Sequence, residues 1–207
     1  MKLNVKVENI LRMLVQRYGS ESAKRHLWNR EFSSGKWNCL DNTGEESIGS
    51  YLEKYAKHGA ILDLGCGTGA TGIGLNTSSY SFYTGVDISD AAINKARTKA
   101  IEAGVADRRE YCVADILTYV PKRQYNVICF GDSIYYIPFT KIVPMLSRYM
   151  PYLSETGVFA VRLFDSSGKL QHIINLIEGH YMVIEKHLSD QSHVCNIIFG
   201  KMRDDGS

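Results

Sequence analysis

Apolar residues at the start of the chain recur at every third or fourth position. Val7, Ile10, Leu11, Leu14, Val15 and Tyr18 predict a helix that stops at Gly19. Ser20 offers an N-cap for a second helix carrying Ala23, Leu27 and Trp28 on one side. The stretch FSSGKWNCLDNTG is irregular and rich in breakers. Thr43-Gly-Glu-Glu46 then has the form of a capping box, and Ile48, Tyr51, Leu52 and Tyr55 continue the helical period until His58-Gly59. Beyond residue 59 the pattern changes. Short apolar runs at 60–64, 81–86, 110–114, 125–130 and 157–164 alternate with helix-like stretches, and each reads as a strand buried on both faces. Between the second and third runs, Ser89 can cap a helix whose stripe is Ala92, Ile93, Ala96, Ala100 and Ile101, with Gly104 closing it. Thr140 to Leu153 reads as another helix, interrupted by Pro144 and Pro151. Runs at 181–187 and 194–199 are joined by only six residues, a connection that permits an antiparallel pair alone. The alternation implies an α/β fold with a parallel sheet between helix layers. The chain divides into a helical leader or lid (1–58), a core (59–201) and a tail (202–207).

Charge and composition narrow the function. The 207 residues hold 24 Lys and Arg against 22 Asp and Glu, a net charge of +2. The basic residues are scattered, which argues against a dedicated nucleic-acid or acidic-membrane surface. Five cysteines without a C-x-x-C pair suit a reducing compartment, read as cytoplasmic. The first residues carry Lys6, Glu8 and Arg12 where an export signal needs an unbroken apolar stretch. The uncharged segment between Asp63 and Asp87 contains six glycines and is too polar for a membrane span. The six histidines show no ligand spacing, so no metal site is expected.

The chemistry concentrates at strand ends. Ile61-Leu-Asp63-Leu-Gly65-Cys66-Gly67-Thr-Gly69 places a carboxylate and three alternating glycines where a strand hands over to a helix. Such a turn lets backbone N–H groups approach a ligand. Gly65 to Ala70 also fits the looser dinucleotide fingerprint, so the glycines alone leave two cofactor classes open. Asp63 separates them: a carboxylate this close would repel a pyrophosphate and attract an ammonium group. Asp87, at the end of the next strand, can accept hydrogen bonds from ribose hydroxyls, and Asp115 after the third strand can take an adenine amine. Ile88 and Ile116 would cover the ring. Each carboxylate also has an ordinary alternative as a cap for its own turn.

DLGCGTG at 63–69, VDIS at 86–89, ADI at 114–116, FGDSIYYI at 130–137 and the closing strand pair together resemble the class I S-adenosylmethionine-dependent methyltransferases, over about residues 60–200. The resemblance implies a Rossmann-like seven-stranded, mostly parallel sheet with helices on both faces and the last strand antiparallel, inserted between the fifth and sixth. It implies S-adenosylmethionine as cofactor, with Asp63, Gly65 and Gly67 around its methionine part, Asp87 on the ribose and Asp115 at the adenine. Cys66, Gly69, Phe130 and Trp37 complete the candidate cofactor contacts. Phe130 to Ile137 is similar to the small-molecule branch, particularly N-methyltransferases of the nodulation type. The Asn/Asp-Pro-Pro-Tyr signature of many nucleic-acid and protein amide methylases is replaced by Gly131-Asp132-Ser133. Gly72 and Gly74 should shorten the first helix of the fold.

The expected activity is transfer of the cofactor's methyl group to nitrogen or oxygen of a small-molecule acceptor. Asp132 is the candidate base, with Tyr136 and His26 in reserve. Tyr135 and Tyr136 should split between pocket and core, and Trp28 should pack in the core. Arg162, inside an apolar strand, calls for an ion-pair partner. The alternatives are a methylase acting on RNA or protein, and a non-catalytic sensor of S-adenosylmethionine or a related nucleotide.

Overall fold

The computed structural model describes residues 5–37, 47–165, 168, 170–189 and 191–202. One sheet is built from β1 (Ala60–Leu64), β2 (Phe82–Asp87), β3 (Arg109–Val113), β4 (Tyr125–Gly131), β5 (Leu153–Phe164), β6 (Tyr181–Ser189) and β7 (Val194–Met202). Its order is β3-β2-β1-β4-β5-β7-β6. The pairings β2–β3, β1–β2, β1–β4 and β4–β5 are parallel. β7 runs antiparallel to both β5 and β6, and so lies between them.

Among the described residues, seven α-helices accompany the sheet: α1 (Val5–Tyr18), α2 (Glu21–Ser33), α3 (Gly49–Ala56), α4 (Ala70–Gly74), α5 (Asp90–Glu102), α6 (Phe139–Tyr149) and α7 (Gln171–His180). Consecutive residues of β1 serve opposite layers. Leu62 and Leu64 join Phe130, Phe159 and Val161 against Ile142, Leu146 and Tyr149 of α6 and Ile173 and Ile177 of α7. Ile61 joins Val127 and Ala160 against Leu52 and Ala56 of α3 and Ile93 and Ala96 of α5. Each large side chain buried in this way contributes about 1.5–3 kcal/mol. α3, grouped with the leader by sequence, is thus a member of one helix layer.

Several sequence expectations are revised. β3 is an edge strand and is only half-buried along part of its length. α6 ends at Tyr149; Pro151 sits in a 3₁₀ turn, and Leu153 already begins β5. α7 has no counterpart among the helices read from the sequence. Ile101 points to solvent at 69 % exposure because the buried face of α5 is carried by its alanines and Ile93. The stripe of α1 also faces outward, with Val7, Ile10, Leu11 and Leu14 exposed, while Gln16 is the buried residue. Residues 43–46, read as a capping box, lie outside the described residues; α3 starts after Ile48 without a side-chain cap. α4 is five residues long, as its glycines require.

Candidate active site

The chain leaves β1 toward β2 on one side and reaches β4 on the other, so the order reverses at β1. In open α/β sheets the crevice at such a reversal, outside the carboxyl ends of the strands, is where ligands bind. A cavity of about 740 Å³ opens there, within the roughly 300–1,000 Å³ of small-molecule sites. Its floor is the turn Gly65–Gly69, in which Gly65, Gly67 and Gly69 all have positive φ (84°, 53° and 76°). A Cβ at Gly65 would come within 2.4 Å of the Ser133 Cβ, so the turn packs directly on the segment after β4. Ser133 Oγ donates to the Leu64 carbonyl at 2.6 Å and fixes that contact.

Asp63, Asp87 and Asp115 all line this cavity. Asp63 Oδ2 accepts a 2.6 Å hydrogen bond from the Tyr83 hydroxyl. Burial pushes its carboxyl up to about 6, against that donation, and the neighbouring Asp87 adds to the rise. Asp87 Oδ2 accepts from Gly67 N–H and its Oδ1 from Ser89 N–H, both at 2.9 Å. Burial pushes Asp87 up to about 6 as well, opposed by these backbone donors. Asp115 Oδ1 accepts from Leu117 N–H at 2.9 Å, and Oδ2 lies 3.4 Å from Lys24 Nζ of α2. Asp87 and Asp115 therefore also brace their own turns, the ordinary role anticipated for them, while facing the cavity. Ile88 and Ile116 lie in the same lining.

The other half of the cavity is built by the leader and the segment after β4. Trp28, Phe32, Trp37, Tyr135 and Tyr136 bring five aromatic rings into the lining. Trp28 meets Tyr136 edge-on at 4.9 Å and Trp37 at 5.8 Å. Glu31 accepts from Arg12, from Lys36 and from Trp37 Nε1, which pins Trp37 in place. Asn29 anchors α2 to the core: its Oδ1 accepts from Ser89 Oγ (2.7 Å) and Ala91 N–H (3.2 Å), and its Nδ2 donates to Asp90. Lys95 Nζ donates to the Phe32 carbonyl at 2.6 Å.

Asp132 is a non-glycine residue in the left-handed region, φ 53°. Such strain costs about 1–3 kcal/mol and collects at functional sites. Its Oδ2 pairs with Arg162 Nη1, the partner that the buried arginine required. Its Oδ1 is buried without a hydrogen-bond partner. Burial raises the Asp132 carboxyl, and Arg162 only partly offsets that. Tyr136 is pushed up to about 12 by burial, so at neutral pH it is a neutral phenol, a donor rather than a base.

The geometry thus gathers Asp63, Gly65, Cys66, Gly67, Asp87, Ile88, Asp115, Ile116, Trp37, Asp132 and Tyr136 around one cavity. Gly69 shapes the turn as the N-cap of α4 without entering the lining. Two further candidates fall outside. Phe130 is fully buried in the core against Tyr149, because alternation along β4 turns it toward α6. His26 is exposed on α2 and does not enter the lining. Trp28 lines the cavity instead of packing in the core, and Tyr135 and Tyr136 both reach it. Gln16, Lys24 and Phe32 were not singled out by sequence, and Ser133 was named only as part of Gly131-Asp132-Ser133. The helical period placed Gln16, Lys24 and Phe32 on α1 and α2 without saying that these helices turn them inward.

A family description of a methyltransferase domain matches residues 56–201, more than half of the chain. The chain belongs to this family, and its fold is that of the class I S-adenosylmethionine-dependent methyltransferases. Among curated relatives, the 27-O-demethylrifamycin SV methyltransferase of Amycolatopsis mediterranei is 29% identical over 120 residues, covering 54% of this chain and 44% of that protein. The match thus spans less than half the length of that relative. Among solved structures, the N-methyltransferase NodS from Bradyrhizobium japonicum WM9, in complex with S-adenosyl-L-homocysteine, superposes with a TM-score of 0.66 at 16% identity, covering 84% of this chain and 96% of that one. A putative rRNA-methylase from Clostridium thermocellum superposes with a TM-score of 0.59 at 17% identity, covering 77% and 100%. The fold is therefore shared by proteins whose names point to different acceptors.

Proposed function

We propose that the protein transfers a methyl group from S-adenosylmethionine to an amine or hydroxyl of a small molecule. The observation that carries this reading is one cavity with two chemically distinct halves: three strand-tip carboxylates beside a glycine-rich turn, and an aromatic chamber roofed by the leader and containing Asp132.

The residues present fit the cofactor. Asp63 can take its ammonium group, Asp87 its ribose hydroxyls and Asp115 its adenine amine, with Ile88 and Ile116 against the ring. No side chain of the Gly65–Gly69 turn other than Cys66 and Thr68 competes for the space. The cofactor supplies an activated methyl carbon on a sulfonium, so the chain's own task is alignment and exclusion of water. Trp28, Trp37, Tyr135 and Tyr136 supply apolar walls that hold the acceptor and keep water out. Asp132 Oδ1, buried and unpartnered, accepts the proton that the acceptor's N–H or O–H must lose, while Arg162 keeps the carboxylate from turning away. Asp115 is engaged by Lys24, so the lysine must yield some of that contact when an adenine amine arrives.

A transfer assay with methyl-labelled S-adenosylmethionine tests the reading against aryl and alkyl amines, phenols, alcohols, tRNA, rRNA and a protein extract. Label is expected in a small amine or hydroxyl compound. Label confined to RNA or protein would contradict the small-molecule reading, and tight S-adenosylhomocysteine binding without transfer to any acceptor would favour a sensor.

A further inference from the structure

Tyr83 lies outside the cavity lining, yet it touches the residue assigned to the cofactor's ammonium group. In the β1–β2 register Ile61 faces Tyr83 and Asp63 faces Gly85, so Tyr83 and Asp63 are diagonal neighbours on the sheet face beneath α4. Diagonal neighbours are within reach of aromatic side chains. The Tyr83 ring is fully buried, and its hydroxyl donates to Asp63 Oδ2 at 2.6 Å. Two glycines give it and its surroundings room. A Cβ at Gly72 of α4 would lie 2.6–2.9 Å from the Tyr83 ring and hydroxyl, and one at Gly85 would meet Tyr111 and Cys66 at 2.8–2.9 Å. On the other side the Arg109 guanidinium lies 5.7 Å over the Tyr83 ring while donating to the Tyr80 hydroxyl. Gly72, a poor helix former in a helix of only five residues, thus has a packing reason.

We infer that Tyr83 is a positioning residue for the cofactor: its hydroxyl holds the Asp63 carboxylate aimed and ionised toward the ligand's ammonium group, and Gly72 is glycine because the tyrosine ring passes beneath it. The inference rests on the cofactor assignment of Asp63 given above. The titratable groups facing Asp63 are Tyr83 and Asp87 of β2, Tyr111 of β3, Cys129 of β4 and Cys66 of the turn. Burial keeps the Cys66, Cys129 and Tyr83 protons well above their usual range, and Tyr111 is pushed up to about 12. Tyr83 is the one whose hydrogen bond to Asp63 lowers the aspartate, so it is the donor that favours the charged form.

The test is calorimetric binding of S-adenosylhomocysteine and of 5′-methylthioadenosine, which lacks the amino-acid tail, to wild type, Tyr83→Phe and Gly72→Ala between pH 6 and 8.5. Losing one hydrogen bond to a buried carboxylate should weaken S-adenosylhomocysteine about tenfold at pH 6.5 in Tyr83→Phe. The deficit should shrink toward pH 8.5, as the less acidic Asp63 ionises, and methylthioadenosine should be unaffected. Gly72→Ala keeps the hydroxyl but displaces the ring, and should show the same selective loss. Equal binding of S-adenosylhomocysteine by wild type and Tyr83→Phe at every pH would overturn the inference alone. So would an equal loss for both ligands, which would mark general damage to the fold. Wild type that binds neither ligand would overturn the cofactor assignment, and this inference with it.

Discussion

Asp63 is buried to 2 % exposure with its carboxyl near 6, well above the ~3.9 of an unfolded chain. A folded carboxyl raised in this way favours the native state below about pH 4, and that contribution is lost as pH rises through 6. Without ligand, Asp63 therefore weakens the fold at neutral pH. Asp63→Asn is expected to match wild type in chemical denaturation at pH 4 and to exceed it by about 1–3 kcal/mol at pH 7.5, while losing S-adenosylhomocysteine binding. A variant less stable than wild type at pH 7.5 would contradict that reading. Asp132 makes a second residue-scale prediction. Asp132→Asn keeps the shape and removes the proposed proton acceptor, so turnover with an amine or hydroxyl acceptor should fall about 100-fold or more, with cofactor affinity little changed. Turnover equal to wild type across the pH range would remove Asp132 from the chemistry. These residues were legible because strand ends are readable from short apolar runs, and a carboxylate there has few reasons to be present. Arg162 could be read as needing a partner, yet only the fold shows that the partner is Asp132.

The element that departs most from its sequence reading is the leader. Periodicity gave α1 and α2 correctly as helices, but it could not say which face would turn inward. α1 directs Gln16 into the site, pairs Arg12 with Glu31 of α2 and leaves its apolar stripe exposed, and α2 brings Lys24, Trp28 and Phe32 over the cavity. The reason is that the leader covers a mixed lining, so its inward face carries Gln16 and Lys24 beside Trp28 and Phe32 rather than an unbroken apolar stripe. Asn29 is the link, tying α2 to the start of α5, where Ser89 in turn donates its N–H to Asp87. Asn29→Ala removes three hydrogen bonds at one point and should cost about 1–3 kcal/mol. Hydrogen exchange should quicken in α1 and α2 while β1 and β4 stay protected. Unchanged exchange in α2 would show that the aromatic contacts alone hold the leader down. The misplaced ends of α6 and β5 have a local cause: from Met145 to Leu153 apolar and aromatic residues are broken only by Ser147 and Arg148, and the switch from helix to strand occurs inside that stretch at Pro151.

At the scale of the molecule, the sheet order brings the ends of β1, β2 and β3 to one crevice, and the segment after β4 closes its far side. Strand and helix alternation made the parallel sheet between helix layers readable in advance; the antiparallel insertion of β7 was implied by the resemblance alone, with the six-residue connection to β6 supporting an antiparallel pair. The acceptor chamber was not readable, because its walls come from residues 16 to 37, 131 to 137 and 162 to 164, brought together only by tertiary packing. Among the described residues no helix is long and apolar enough to cross a membrane. In the proposed function three strand-tip carboxylates grip one adenosyl amino-acid ligand, and a crystal structure of the protein with S-adenosylhomocysteine tests that grip. The ammonium group should lie on Asp63, both ribose hydroxyls on Asp87 and the adenine amine on Asp115, with Lys24 drawn back. A ligand seated elsewhere, or one whose amino-acid tail and ribose point away from Asp63 and Asp87, would contradict it.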